Sequence, residues 1–127
     1  HLKSLERYLR AERDALNGCR LGLFAYDAGL EEPELREPPR RYFREIESML
    51  TELYGGLEHS GTNRGKAEAL AACTIAAIQG GYILSRIHND PAYMRRAVEG
   101  LWTLLAAGTK TRTGPENRGR KGRERRI

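Results

Sequence analysis

Cysteine is almost absent from this 127-residue chain, which has only Cys19 and Cys73. Two thiols make no disulfide framework, so the fold must rest on a packed core, and a reducing, cytoplasmic compartment is expected. Histidine is nearly as scarce. His1, His59 and His88 stand apart, none at a metal-ligand spacing from another histidine or a cysteine, so neither a metal nor a cofactor is expected. There is no run of about 18 apolar residues and no secretory signal, which argues against a membrane role. Sustained apolar/polar alternation is missing, and with it any case for strands. Catalytic motifs are missing too. The glycine pairs lack the Lys-Ser/Thr ending of a phosphate loop, and there is no Gly-x-Ser-x-Gly elbow. Glu31, Glu32, Glu34 and Glu37 read as the solvated start of a helix rather than paired acid/base groups. No catalytic residue is expected, and the chain does not read as an enzyme.

Positive charge is plentiful but unevenly spread. The net charge is +5, from 22 Lys and Arg against 17 Asp and Glu. From residue 108 to residue 127 there are eight basic and two acidic residues, leaving 14 basic and 15 acidic groups over the first 107. The chain therefore divides into a near-neutral body, 1–107, and a Gly- and Arg-rich tail, 108–127, whose composition is that of a disordered segment. Such a tail could bind nucleic acid non-specifically through phosphates. The alternative function is therefore a small helical protein that binds nucleic acid through its tail.

Helical periodicity fills the body. Leu2, Leu5, Leu9 and Leu16 suggest a first helix up to the stop at Asn17-Gly18, and a short helix follows from about Leu21 to Ala28. Glu31 to Glu34 opens a third segment, which Pro38-Pro39 should break, because proline removes a helix-interior donor. From Arg40 the stripe Tyr42, Phe43, Ile46, Met49, Leu50, Leu53 and Leu57 continues until Gly55-Gly56 ends the helix. After the polar loop 59–65, the segment from Lys66 to His88 is apolar or small around two-thirds of its circumference, with Glu68, Gln79, Tyr82 and Arg86 on one narrow side. A helix so apolar must be buried on more than one side. Asp90-Pro91 starts a last helix that should end near Gly108. The fold class is all-α, about five helices in an antiparallel bundle, the last two forming a dimerisation pair.

Three features are candidates for function. With Phe24, the stripe Tyr42, Phe43, Ile46, Met49, Leu50 and Leu53 is either plain core or the lining of a ligand cavity between helices. It carries no evident buried charge, which favours a neutral or planar molecule. Gly80 and Gly81 lie mid-helix at a cost of about 1 kcal/mol each, which points to close approach by another helix. Cys19 precedes a short helix beside Arg20, a setting that can activate a thiol as a sensor, the plainer reading being a small packed residue. Cys73, among alanines, reads as packing.

Several segments together resemble the regulatory domain of TetR/AcrR-type transcriptional regulators. Gly18-Cys19-Arg20-Leu21-Gly22-Leu23-Phe24-Ala25 resembles that family's Gly-Cys-x-Leu/Ile-Gly-x-x-Ala signature, and Pro33-Glu34-Leu35-Arg36 resembles the Asp-Pro-Glu-Leu-Arg that follows it. Ala76 to Arg86 resembles the family's penultimate helix, and Asp90-Pro91 with Met94, Ala97 and Leu101 its last. The resemblance spans about residues 1–107. It implies a domain that binds a small effector and forms a homodimer through its last two helices. Operator DNA would be read only by an N-terminal helix-turn-helix, which these residues do not include. The chain starts at His1 rather than Met, as a piece of a longer protein would. By that likeness the pocket falls to the Phe24 to Leu53 set. The dimer face falls to Gly80, Ile83, Leu84, Ile87, Val98, Leu101, Trp102 and Leu105.

Overall fold

The structure is a computed structural model that describes residues 1–24, 31–57 and 63–110, and the side chains of all these except Phe24, Thr109 and Lys110. It comprises α1 (Leu2–Leu9), α2 (Arg20–Phe24), α3 (Pro33–Gly55), α4 (Arg64–His88) and α5 (Ala92–Lys110). There is no strand among the described residues. The chain is an all-α bundle in which α4 packs closely against both α3 and α5, with α1 against α3 and α5 and α2 against α3.

Helix α4 is the centre of the bundle, and its ends are well specified. Asn63 caps it, its side chain accepting from the Lys66 N–H at 2.8 Å. At the other end Asn89 takes the left-handed conformation, φ 49°, and Asp90 N–H reaches back to the Ser85 carbonyl. Asp90 then accepts from the Ala92 N–H at 2.9 Å, so the three residues 89–91 turn α4 into α5. By length and composition alone α4 is apolar enough to cross a bilayer. Here its apolar surface packs on two helices at once, burying Ala67, Ala71, Ile78 and Gly81.

The core comprises Leu5 and Leu9 from α1, Leu50 and Tyr54 from α3, the buried face of α4, and Met94, Val98 and Leu101 from α5. Thr74 is buried on α4 and gives its one proton to the Leu70 carbonyl at 2.8 Å. The Tyr54 hydroxyl therefore donates to Thr74 Oγ1 at 2.6 Å across the α3–α4 contact. Ser85 does the same for α4 and α5, its Oγ accepting the Met94 N–H at 3.1 Å. Gly81 lets α5 close in, since a Cβ there would lie 2.7 Å from Met94 Sδ and 3.2 Å from Met94 Cα. A Cβ on Gly80, by contrast, would meet nothing within 4 Å. The close approach expected of the two glycines is thus made within the chain at Gly81.

Several boundaries differ from the sequence expectation. Helix α4 opens at Arg64, inside the segment expected as a loop, because Asn63 caps it there. Helix α1 ends at Leu9, not Leu16, because Arg13 folds back onto its end. The guanidinium donates to the carbonyls of Tyr8 (2.7 Å), Leu9 (2.9 Å) and Ala11 (3.0 Å), which a continuing helix would have used itself. Helix α3 runs unbroken through Pro38 and Pro39. The packing of α3 on α4 outweighs the two lost donors, and both prolines lie within the first two turns. Helix α5 passes Gly108 and is described as far as Lys110. The expected end of α2 at Gly29 and the tail from 111 onward lie outside the described residues.

Candidate functional site

A trough lies where α3 and α4 meet the segment from the end of α1 to α2. One lobe, about 330 Å³, is lined by Tyr8, Arg13, Cys19, Tyr42, Phe43, Ile46, Met49, Ile75, Ile78, Gln79 and Tyr82. A second lobe, about 240 Å³, is lined by Gly18, Cys19, Gly22, Leu23, Phe43, Ile75, Gln79, Tyr82, Ile83 and Arg86. The lobes share Cys19, Phe43, Ile75, Gln79 and Tyr82 and so adjoin one another.

Local structure explains the walls. The α3 stripe turns Phe43 and Ile46 inward, while Tyr42 and Met49 stand more exposed at the rim. Tyr42 meets Phe43 edge-on, ring centroids 5.3 Å apart at 79°. From α4 come Ile75, Ile78, Gln79 and Tyr82. Gly22 lies beside the end of the Gln79 side chain, which a Cβ there would displace. Gly18 supplies the turn before α2 at φ +76°, with the Arg86 side chain beside it. Arg86 Nη1 donates to the Asn17 carbonyl at 3.0 Å. Arg13 stacks over the Tyr8 ring, 5.2 Å from its centroid. Burial pushes the phenols of Tyr8 and Tyr82 above their ordinary pKa, with Arg13 opposing the shift in both, so each is a neutral O–H at physiological pH. Cys19 is half-buried in both lobes, and its Sγ accepts the Gly22 N–H at 3.3 Å.

Of the residues expected to form a pocket, Tyr42, Phe43, Ile46 and Met49 line the trough. Leu50 is fully buried in the core and Leu53 packs against it. The side chain of Phe24 lies outside the described residues. Sequence reasoning missed Tyr8, Arg13 and Ile75 and gave the polar side of α4 no role. Gln79, Tyr82 and Arg86, grouped in the sequence on one narrow side of α4 without an assigned role, line the trough. The signal was available in part: three of the four residues on that narrow polar strip, all but Glu68, face the trough.

A larger groove, about 680 Å³, lies between residues 9–15 and α5. Its walls carry charges of both signs, Arg10, Glu12, Arg13, Asp14, Arg95 and Glu99 among them, and Arg10 pairs with Glu99 at 3.0 Å. It has little of the apolar, convergent character of a small-molecule site, which the smaller trough has.

The expected dimer face is divided. Val98 and Leu101 are buried in the chain's own core, Leu105 packs against it, and half-buried Trp102 lies under Arg10, 5.9 Å from its guanidinium. Ile83 turns toward the second lobe of the trough. Gly80, Leu84 and Ile87 look outward, Ile87 at 71% exposure. They continue a stripe with Ala69, Cys73 and Ala76, all exposed. Cys73 is therefore a surface residue here, not core packing. On α5, Gly100 is exposed and Leu104 is 73% exposed, a large apolar residue the sequence reading left out.

The family model for the transcriptional regulator LmrA/YxaF-like, C-terminal domain, matches residues 1–100. The chain belongs to this family. It is a TetR-type C-terminal domain, as the Gly-Cys motif and the last two helices imply. No curated protein and no solved structure matches it significantly. Among the described residues no group of three or more His, Cys, Asp or Glu side chains could hold a metal ion.

Proposed function

We propose that this TetR-type domain binds a small apolar or aromatic effector in the trough and dimerises through α4 and α5. Binding there would control a DNA-reading helix-turn-helix outside these 127 residues. The observation that carries the reading is the trough itself. Four residues of one α3 stripe converge with α4 and the Cys19 turn on a space of about 330 Å³, within the size range of small-molecule sites. The outward stripes of α4 and α5 support the dimer, since small and apolar side chains on two adjacent long helices suit an isologous contact. Effector binding and dimer geometry would be coupled through α4, which lines the trough and carries the outer stripe. The reading includes no catalysis, no cofactor and a cytoplasmic location. The domain boundary near residue 107 and a thiol-sensing role for Cys19 remain proposals beside it.

Sedimentation of the full chain tests the assembly. A dimer at tens of micromolar is expected, and a strict monomer at that concentration would remove this part of the reading. Thermal unfolding against a panel of aromatic compounds tests the pocket. A bound effector should raise the midpoint in the native chain and not in one whose trough is filled at Ile75.

A further inference from the structure

We propose that the trough selects an organic anion, an aromatic or aliphatic body bearing a single acid group, over neutral and cationic molecules of the same shape. This rests on the reading of the trough as an effector site and adds the charge of the effector. The sequence expectation of a neutral molecule came from the α3 stripe alone. The charges enter from the chain before α2 and from α4.

Each lobe is lined by one arginine, Arg13 in the first and Arg86 in the second, and the polar surface lies mainly in the first. No Asp or Glu lines either lobe. That is unusual for this body, in which acids outnumber bases, and unlike the neighbouring groove, where acids and bases alternate. Neither arginine makes an ion pair among the described residues. Arg13 spends its hydrogen bonds on three main-chain carbonyls, leaving two of its five N–H donors. The other polar groups lining the trough include the neutral phenols of Tyr8 and Tyr82 and the Gln79 amide, all able to donate. A carboxylate, sulfonate or phenolate would form charge-assisted bonds to such donors, while Phe43, Ile46, Ile75 and Ile78 cover its body. A cation would meet Arg13 with no carboxylate lining the trough to offset it.

Two dyes that differ by one sulfonate make the test: 1-anilinonaphthalene-8-sulfonate and the neutral N-phenyl-1-naphthylamine, titrated by fluorescence into the full chain. The sulfonate should bind at least tenfold more tightly. Arg13→Gln should remove most of that advantage with little change for the neutral dye, and Arg13→Lys should keep it. Arg86→Gln provides the same test should loss of the Arg13 cap unfold α1, which circular dichroism would report. The basic tail could also hold a sulfonate, so Ile75→Trp, or Ile75→Phe if the larger ring unfolds the chain, must abolish binding of both dyes. Equal affinities, an advantage that survives the double Arg13→Gln, Arg86→Gln change, or sulfonate binding that survives the filled trough would each overturn the proposal. If both dyes bind alike and both are lost on filling, only the anion preference falls. If neither dye binds, the pocket reading falls with it.

Discussion

The phenol of Tyr54 is 1% exposed and is held by a single hydrogen bond to Thr74 across the α3–α4 contact. Tyr54→Phe leaves Thr74 bonded to the Leu70 carbonyl, so no buried group loses its only partner. The loss should be about 1 kcal/mol, or roughly 4 °C in the unfolding midpoint of a domain this size. Burial also pushes the Tyr54 pKa upward, as it does for Tyr8 and Tyr82. The folded chain therefore keeps protons that the unfolded chain releases above about pH 10. This contribution is complete below that pH and is lost as pH rises through the folded values. Melting midpoints should fall above about pH 10, and Tyr54→Phe should make that fall shallower. Gly81→Ala would push a Cβ against Met94 Cα, a main-chain atom 3.2 Å away, and should cost about 1–3 kcal/mol. Gly80→Ala, pointing into open space, should be neutral or stabilise the isolated fold by up to about 1 kcal/mol. Denaturant melts of the two variants at low protein concentration compare them directly; equal losses would remove the distinction between the two glycines.

At the scale of elements, legibility followed the local chemistry. Helices α4 and α5 and the turn between them could be read from Asp90-Pro91 and the helical periodicity on either side, because caps and periodicity are local. The end of α1 could not, since what stops it is a side chain four residues beyond its last turn, folded onto its carbonyls. The α3 stripe showed half of the trough. The other half comes from the segment before α2 and from the polar strip of α4, whose meaning depends on what packs against it. The prolines were misjudged because a propensity rule was weighed without the tertiary packing that overrides it. That conflict still carries a cost at Pro38, which is exposed and loses the hydrogen bond a donor there would make to the Glu34 carbonyl. Pro38→Ala should therefore stabilise the chain by about 1–3 kcal/mol, less whatever proline saves in the unfolded state. Pro39→Ala gains a donor too but removes buried packing, so its gain should be smaller. Thermal unfolding of the two variants ranks them, and a loss at Pro38 would mean that the proline itself shapes the helix start.

At the scale of the molecule, the near-neutral body presents two unlike surfaces. One side of α4 faces the trough. The outer side is a stripe of small and apolar residues, Ala69, Cys73, Ala76, Gly80, Leu84 and Ile87, accompanied on α5 by Gly100 and Leu104. Leu104 and Ile87 are more exposed than a monomer gains from, and a stable pair of chains would need to cover about 800 Å² on each. A charge placed in such a contact has no partner and stays solvated only if the chains separate. Leu104→Glu and Leu84→Glu should each weaken dimerisation on the order of a hundredfold, with helical content unchanged, because neither side chain supports the chain's own core. Cys73 offers a readout that needs no substitution. It is exposed in the single chain and lies in the middle of the outer stripe, so dimerisation would cover it. Its alkylation rate relative to Cys19 should fall as protein concentration rises through the dimer range and should stay high in Leu104→Glu. A Cys73 rate independent of concentration, in a chain that sediments as a dimer, would move the contact to another face.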